Sequence, residues 1–551
     1  MEKRVLIAVI LSLGVLFLYP HAIELIYPTQ DETKPVAALE EVVTAPADHG
    51  AIETAAIASV QKEGTATSPA TAMPASPLPK NEAQSIVETP NYKAIFTNLG
   101  GGIKSWKLKG YNNTQDEGSP KVDLAINKKW TTTNTTTLII GDVTHNIVFA
   151  PAKPYMELRE GERGELVFTG SPIKGVTVEK KYLFNADGYL FDTWLKVYND
   201  TNFPLTGHIV TAFSTSFAET ASGKVKYHSG PIIQTAEKLL RQDEDEFQLN
   251  GRGYVPWIGL EDKYFLMAMI PPKITTMTWN TEIPAEGLYK SEVRSELNIA
   301  PGTKTEYAYS VFSGPKLYNH LKTYGVALEG AIEFGFFKFM AKPFLAILNQ
   351  FQKYVKNYAL AIILFTFIIK VIFYPLTKHS LTSMKEMQKV QPQMKAIKEK
   401  YKSNKEKMNK ETMALYKKYK INPLSGCLPM VAQIPVFIAL YEVLYVAIEL
   451  RHAPFFLWIA DLSAKDPYYI TPLLMGGSMF LQQKMSPSSP DPTQAKMMML
   501  MPVVFTFMFL SFPSGLVLYW LVNNVLSIAQ QYKINKSSAS PKPPKAKPAK
   551  A

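Results

Sequence analysis

The sequence predicts a polytopic α-helical membrane protein, with six spans, that carries a large extracytoplasmic β-sandwich domain. Three observations predict it. Long uncharged runs crowd the last 200 of the 551 residues. Strand-like alternation fills residues 91–325. Basic charge gathers beside the uncharged runs: residues 378–422 hold 13 Lys and 4 Glu, and 533–551 add +6, against +12 for the whole chain. That placement is the positive-inside pattern of membrane proteins. It argues against a specific nucleic-acid partner. Hydrophobic content is 46% and unevenly spread, and a single cysteine, Cys427, excludes an intrachain disulfide.

The N-terminus reads MEKR and then an apolar stretch at 5–23. A basic start before an apolar core resembles a secretory signal, but no A-x-A-like cleavage site follows. Residues 1–27 are therefore expected to be an uncleaved signal-anchor; a cleaved signal with an unusual site is the alternative. Residues 28–90, rich in Ala, Thr, Pro and Glu, cannot bury enough apolar surface to fold and are expected to be a disordered tether. Residues 91–325 change character, with strand-like segments at 176–184, 189–199 and 303–314 separated by turn signals such as Asp187-Gly188 and Pro301-Gly302. They predict the β-sandwich. His208 and His228 are isolated, Gly100-Gly101-Gly102 reads as a turn, and Asn112-Asn113-Thr114 matches a common glycosylation tripeptide. No metal-ligand spacing, phosphate loop or nucleophile elbow is present in the sequence, so no catalytic residue, metal or cofactor is expected. A docking or passive role is expected for this domain.

Residues 326–352 are aromatic-rich, with Lys338 and Lys342 interleaved, and suit a helix lying in the membrane interface. The next segment, 353–378, is the most informative. Lys370 sits within an otherwise uncharged run at 357–377 that is long enough to cross the ~30 Å hydrocarbon layer. An ammonium there costs roughly 3 kcal/mol on insertion scales. It is a functional candidate that should face a wet cavity or a partner; snorkelling to the interface is the bland alternative. Residues 379–422 have helical period and read as a cytoplasmic helical hairpin. Met384, Met387 and Met394 lie on one stripe, which could hold variable apolar client segments or could simply pack one helix on the other. Uncharged runs at 421–441, 467–483 and 497–532, the last broken at Phe512-Pro513-Ser514-Gly515, predict four further spans within 423–532. A basic tail occupies 533–551. Both termini then lie in the cytoplasm and the large domain outside.

Several stretches together match a family: KVIFYPLTKHSLTSMKEM, INPLSGCLPMVAQIPVFIALYEVL, ELRHAPFFLWIADLSAKDPYYITPLLMG, MFLQQKMSP and FPSGLVLYWLVNN. The sequence resembles the YidC/Oxa-type membrane protein insertases, in the Gram-negative YidC form with an extra anchor and a large periplasmic β-domain. The resemblance implies a five-helix insertase core in the bacterial inner membrane, with a hydrophilic groove open to cytoplasm and lipid. It implies insertion and chaperoning of nascent membrane proteins, alone or beside the Sec translocon and its accessory subunits. Ribosome or signal-recognition components and membrane lipid are further implied partners. In that family a basic residue, most familiarly arginine, stands in the groove; Lys370 matches it and keeps the charge but not the planar fork. Gln433 matches a polar groove residue, and Tyr519 or Trp520 matches an aromatic. Thr366, one turn from Lys370, fits the face on which clients slide. Glu442 stands where familiar members have an aromatic. Two rival readings are a small-anion transporter or channel using Lys370 as its binding charge, and a membrane-anchored enzyme. The first lacks internal repeats, and the second lacks a catalytic constellation.

Overall fold

The computed structural model describes residues 82–125, 133–215, 227–242, 248–272, 276–285, 288–419, 428–485 and 492–537. The expected signal-anchor at 1–27, nearly all of the expected tether and the tail beyond 537 lie outside them.

Strands from Gln84–Glu88 to Thr303–Pro315 form three sheets, of five, nine and six strands. Alternation produces them. In Val176–Asn185 every second side chain, Val176, Val178, Lys180, Tyr182 and Phe184, turns inward, while Thr177, Glu179 and Lys181 stay near solvent. Leu190–Asn199 pairs antiparallel with this strand on one side and with Thr303–Pro315 on the other, so Leu195 lies opposite both Lys180 and Tyr307. Inner faces of all three sheets share one core that includes Trp106, Tyr182, Phe191 and Phe213. Tyr92 stacks on Trp106 with ring centroids 4.0 Å apart. The first strand, Gln84–Glu88, corrects the expected boundary at 91. Ser85 and Val87 are buried in the sheet, so the folded domain begins inside the stretch assigned to the tether, where preceding Ala, Thr and Pro residues obscured a short alternation.

A buried ionic cluster ties this domain to the turn that leads into the helical region. Glu261 accepts from Arg241 Nε at 2.8 Å and from Lys316 Nζ. The same two cations each donate to the Ala331 carbonyl at 3.3 Å. They thereby fix the 3-10 turn Leu328–Ala331 that follows the short helix α1 (Tyr318–Thr323). Helix α2 (Lys338–Val355) buries Ala341, Phe344, Leu345 and Leu348, spaced for one face, and leaves Phe339 and Tyr354 exposed. It ends at Lys356 in the left-handed region, and Asn357 caps α3 (Tyr358–Ile372) by accepting from the Leu360 N–H at 3.1 Å.

The segment expected as a span at 353–378 is broken by a bend. Helix α3 stops at Ile372, and α4 (Tyr374–Lys400) leaves it at 60°. Pro375 supplies the reason: it has no N–H for the Val371 carbonyl, and its ring clashes with that carbonyl in a continuous helix. The hairpin expected at 379–422 therefore starts at the bend. Its second helix, α5 (Lys405–Lys418), brings Leu415 and Tyr416 against Val390 and Met394 of α4. Helices α6 (Leu428–Val446), α7 (Ile470–Met485), α8 (Pro492–Phe509) and α9 (Ser514–Ser537) fill the region of the four further expected spans, and α9 continues into the first residues of the expected tail. Helix α9 packs on α3 and α7, and α2 on α3 and α6. Gly476 lets α7 approach α8 closely, since a Cβ there would meet Thr506 Oγ1. Among the described residues α6 alone is long and apolar enough to cross a bilayer by itself, and the bent α3–α4 pair raises the number to two.

The loop between α6 and α7 docks on the sheet domain. Ile448 joins the domain core. Arg451 Nη2 donates to the carbonyls of Asn112 at 2.7 Å and Asn113 at 3.1 Å, and the guanidinium lies 5.7 Å from the rings of Tyr264 and Phe265.

Candidate functional site

Two of the expected groove residues, Lys370 and Gln433, each contact α9. Lys370 lies in the last turn of α3, half-buried, and its Nζ donates to Ser527 Oγ of α9 at 2.6 Å. Ser527 Oγ donates to the Asn523 carbonyl at 2.7 Å. On α6, Gln433 Nε2 donates to the hydroxyl of Tyr519, which is buried. Tyr519 and Ser527 stand eight residues apart, two turns or ~12 Å along α9. One helix thus carries the partners of both expected polar groups. Lys370 is also nearer a helix end than the sequence implied. A continuous span would have placed ~12 Å of helix beyond it; the bend leaves two residues of α3.

The remaining candidates do something different. Thr366 shares the Lys370 face but is 0% exposed, and its hydroxyl donates to the Ile362 carbonyl at 2.6 Å. It is a packing residue here, because a helical threonine satisfies itself on the preceding turn. Trp520 packs in an aromatic group, with centroids 5.0 Å from Phe437, 5.2 Å from Phe509 and 5.9 Å from Phe505. Tyr519, not Trp520, is therefore the aromatic that bonds Gln433. Glu442 lies on α6 at 7% exposure beneath Gly335, where an added Cβ would come 3.2 Å from its carboxyl carbon. Gly335 also has φ +63°, so a side chain at that position of the linker into α2 would be strained in its backbone and crowded against Glu442.

The methionine stripe is corrected by the structure. Met394 is 3% exposed and its sulfur accepts from the Tyr416 hydroxyl at 2.8 Å; Met387 packs on the same cluster. Both belong to the seam between α4 and α5, because two amphipathic helices in a hairpin bury their facing stripes first. Met384, one turn nearer the bend, remains half-buried. The hairpin is fastened to α9, since Lys385 Nζ donates to the Ile534 carbonyl at 2.8 Å.

Sequence reasoning missed Ser527 and Asn523. The available signal was a polar residue every fourth position, Tyr519, Asn523 and Ser527, in an uncharged run. Among the described residues no group of three His, Cys, Asp or Glu side chains could hold a metal.

Two family profiles cover most of the chain. The YidC periplasmic domain profile matches residues 85–347, and the 60Kd inner membrane protein profile matches 350–541. The membrane protein insertase YidC of Syntrophus aciditrophicus is 43% identical over 556 residues, covering 98% of this chain and 100% of that protein. Those of Geobacter metallireducens and Geobacter sulfurreducens are each 42% identical over 98% of this chain and 99% of theirs. The chain belongs to the YidC family of membrane protein insertases. It is an inner-membrane protein, and its sheet domain is the family's periplasmic domain. The match from residue 85 agrees with a first strand at Gln84. The family's members are insertases rather than enzymes.

Proposed function

We propose that this chain inserts membrane proteins into the bacterial inner membrane and assists their folding, with Lys370, Gln433 and Tyr519 forming the polar wall along which a client tail moves. The observation that carries the reading is the setting of Lys370: a cation on an apolar helix, held by a neutral hydroxyl. Such a cation attracts acidic residues in a client tail and lowers the cost of moving polar groups part-way across. The other face of α3 supports a lipid environment. Leu364, Phe367, Ile368, Val371 and Ile372 are all exposed there, a patch that water does not favour. Transfer of the client helix from this wall to lipid is driven by apolar burial at roughly 25 cal/mol per Å². Helices α3 and α7, of 15 and 16 residues, reach ~22–24 Å at 1.5 Å per residue, so a thinned bilayer around them shortens the crossing.

In this reading the chain spans six times with both termini in the cytoplasm, and the α4–α5 hairpin stands on the cytoplasmic side. Its lysines meet anionic lipid or the ribosome, while the closed methionine seam keeps it rigid. The Sec translocon is a partner for larger clients. Small-anion transport gains nothing from relatives named as insertases.

The test is reconstitution. Vesicles holding only the purified full chain are given a single-span client with a short acidic tail. Protease protection of the tail, absent in empty vesicles, supports the reading. No protection, together with chloride flux above that of empty vesicles, would replace it with the transporter.

A further inference from the structure

Lys370 is held in a particular way. Its ammonium donates to Ser527 Oγ at 2.6 Å, and that hydroxyl is itself anchored by donating to the Asn523 carbonyl at 2.7 Å. Hydrogen bonds in a chain polarise one another, so a hydroxyl that donates is a better acceptor for the lysine. Asn523 lies on the same face of α9, one turn away, and its side-chain Oδ1 is buried with no hydrogen-bond partner among the described atoms. Among the described residues no carboxylate pairs with Lys370.

We propose that Ser527, supported by Asn523, is the resting dock of the Lys370 cation, and that an acidic residue of a client displaces the hydroxyl from it. This deepens the groove reading above and rests on it. A neutral acceptor fixes the position of the ammonium without cancelling its charge, whereas a resident carboxylate would cancel it. An incoming carboxylate is the stronger acceptor, since both partners of the new bond are charged. Release leaves nothing unpaired: Ser527 keeps its bond to the Asn523 carbonyl. Ser527 is thus a positioning residue that acts through Lys370: it holds the cation in place until a client carboxylate competes it away.

The experiment uses the full chain in vesicles and two probe clients, identical but for Asp or Asn in the tail. The readout is the ratio of their insertion rates. Ser527→Ala, which removes the group the client must displace, should raise the acidic-to-neutral ratio by up to roughly tenfold, the lower end for one hydrogen bond to a charged group. Ser527→Thr should restore it, and Ser527→Asp, which pairs with the lysine permanently, should lower it as far as Lys370→Ala does. A fall in the ratio in Ser527→Ala, or a change shared equally by both clients, marks a packing role and overturns the dock. So does a normal ratio in both Ser527→Ala and Ser527→Asp while Lys370→Ala loses it. A normal ratio in Lys370→Ala itself overturns the groove reading, and the dock with it.

Discussion

Replacing Glu261 by glutamine should be among the most damaging neutral changes in the sheet domain. The Glu261 side chain is 1% exposed and holds two cations, Lys316 at 5% and Arg241 at 22%. Glutamine keeps the shape and removes the charge, so buried Lys316 loses its direct ion pair and keeps only the longer-range pull of Asp262. Breaking such a pair on one side costs about 3–5 kcal/mol. The lower end applies, because Arg241 also reaches Glu333 at 4.0 Å and is partly solvated. At an m-value of about 3 kcal/mol/M, a loss of ~3 kcal/mol moves the urea midpoint by about 1 M. Tryptophan emission of the full chain in detergent reports it, since Trp257 is fully buried on the same strand as Glu261. The pH dependence adds a second check. Burial opposes the Glu261 charge, but the Lys316 and Arg241 cations outweigh it and hold the carboxyl below the usual carboxylate range. A depressed acid contributes stability above its unfolded pKa of ~4.3 that is lost as pH falls through its folded value. Glu261→Gln should therefore flatten the acid limb of the stability profile. Removing both charges, in Glu261→Gln with Lys316→Met, should recover most of the loss. A midpoint shift under 0.3 M (roughly 1 kcal/mol at this slope) with an unchanged acid limb would refute the reasoning.

Two further outcomes are expected from buried groups elsewhere. Lys180 is fully buried, bonded to the Asn134 carbonyl at 2.6 Å, and burial pushes its ammonium well below the ordinary lysine range. The unfolded chain then binds more protons up to ~10.4, so stability rises with pH in that window. Lys180→Met should raise the pH 7 urea midpoint and remove the slope between pH 7 and 9.5; an unchanged slope would count against a neutralised lysine. Met394→Ser should loosen the hairpin by about 2–3 kcal/mol, as for other large-to-small core changes, read as faster amide exchange across α4 and α5. Unaltered protection there would return Met394 to the role of an open client surface.

What was legible in the sequence was periodicity, and what was hidden was who faces whom. Alternation located Val176–Asn185, Leu190–Asn199 and Thr303–Pro315 to within a residue or so. The same alternation put Lys180 on the inner face, yet a lysine in a KK pair reads as solvated until its carbonyl partners across the core are known. The break before Ser514 was legible as Pro-Ser-Gly, and α8 ends at Phe509 as that implied. Pro375 carried equal information, but an uninterrupted apolar run concealed the bend. The Met stripe was periodic under both of its readings, and the facing residues Leu415 and Tyr416 decided between them. Lys370 and Gln433 were identifiable as polar residues in apolar runs and through the family resemblance. Ser527 was not, because a serine inside a membrane helix ordinarily bonds its own backbone, and only the approach of α3 to α9 gives it a second partner.

The central claim is that the charge at position 370 attracts acidic client tails. The most direct measurement is the insertion rate of an acidic-tailed single-span client by vesicles holding the Lys370→Ala chain, beside Lys370→Arg and the unaltered chain. The account predicts normal insertion with arginine and failure with alanine, and a smaller loss when the client tail is neutral. Equal rates for alanine, arginine and lysine would show that Lys370 only snorkels, and would contradict the account.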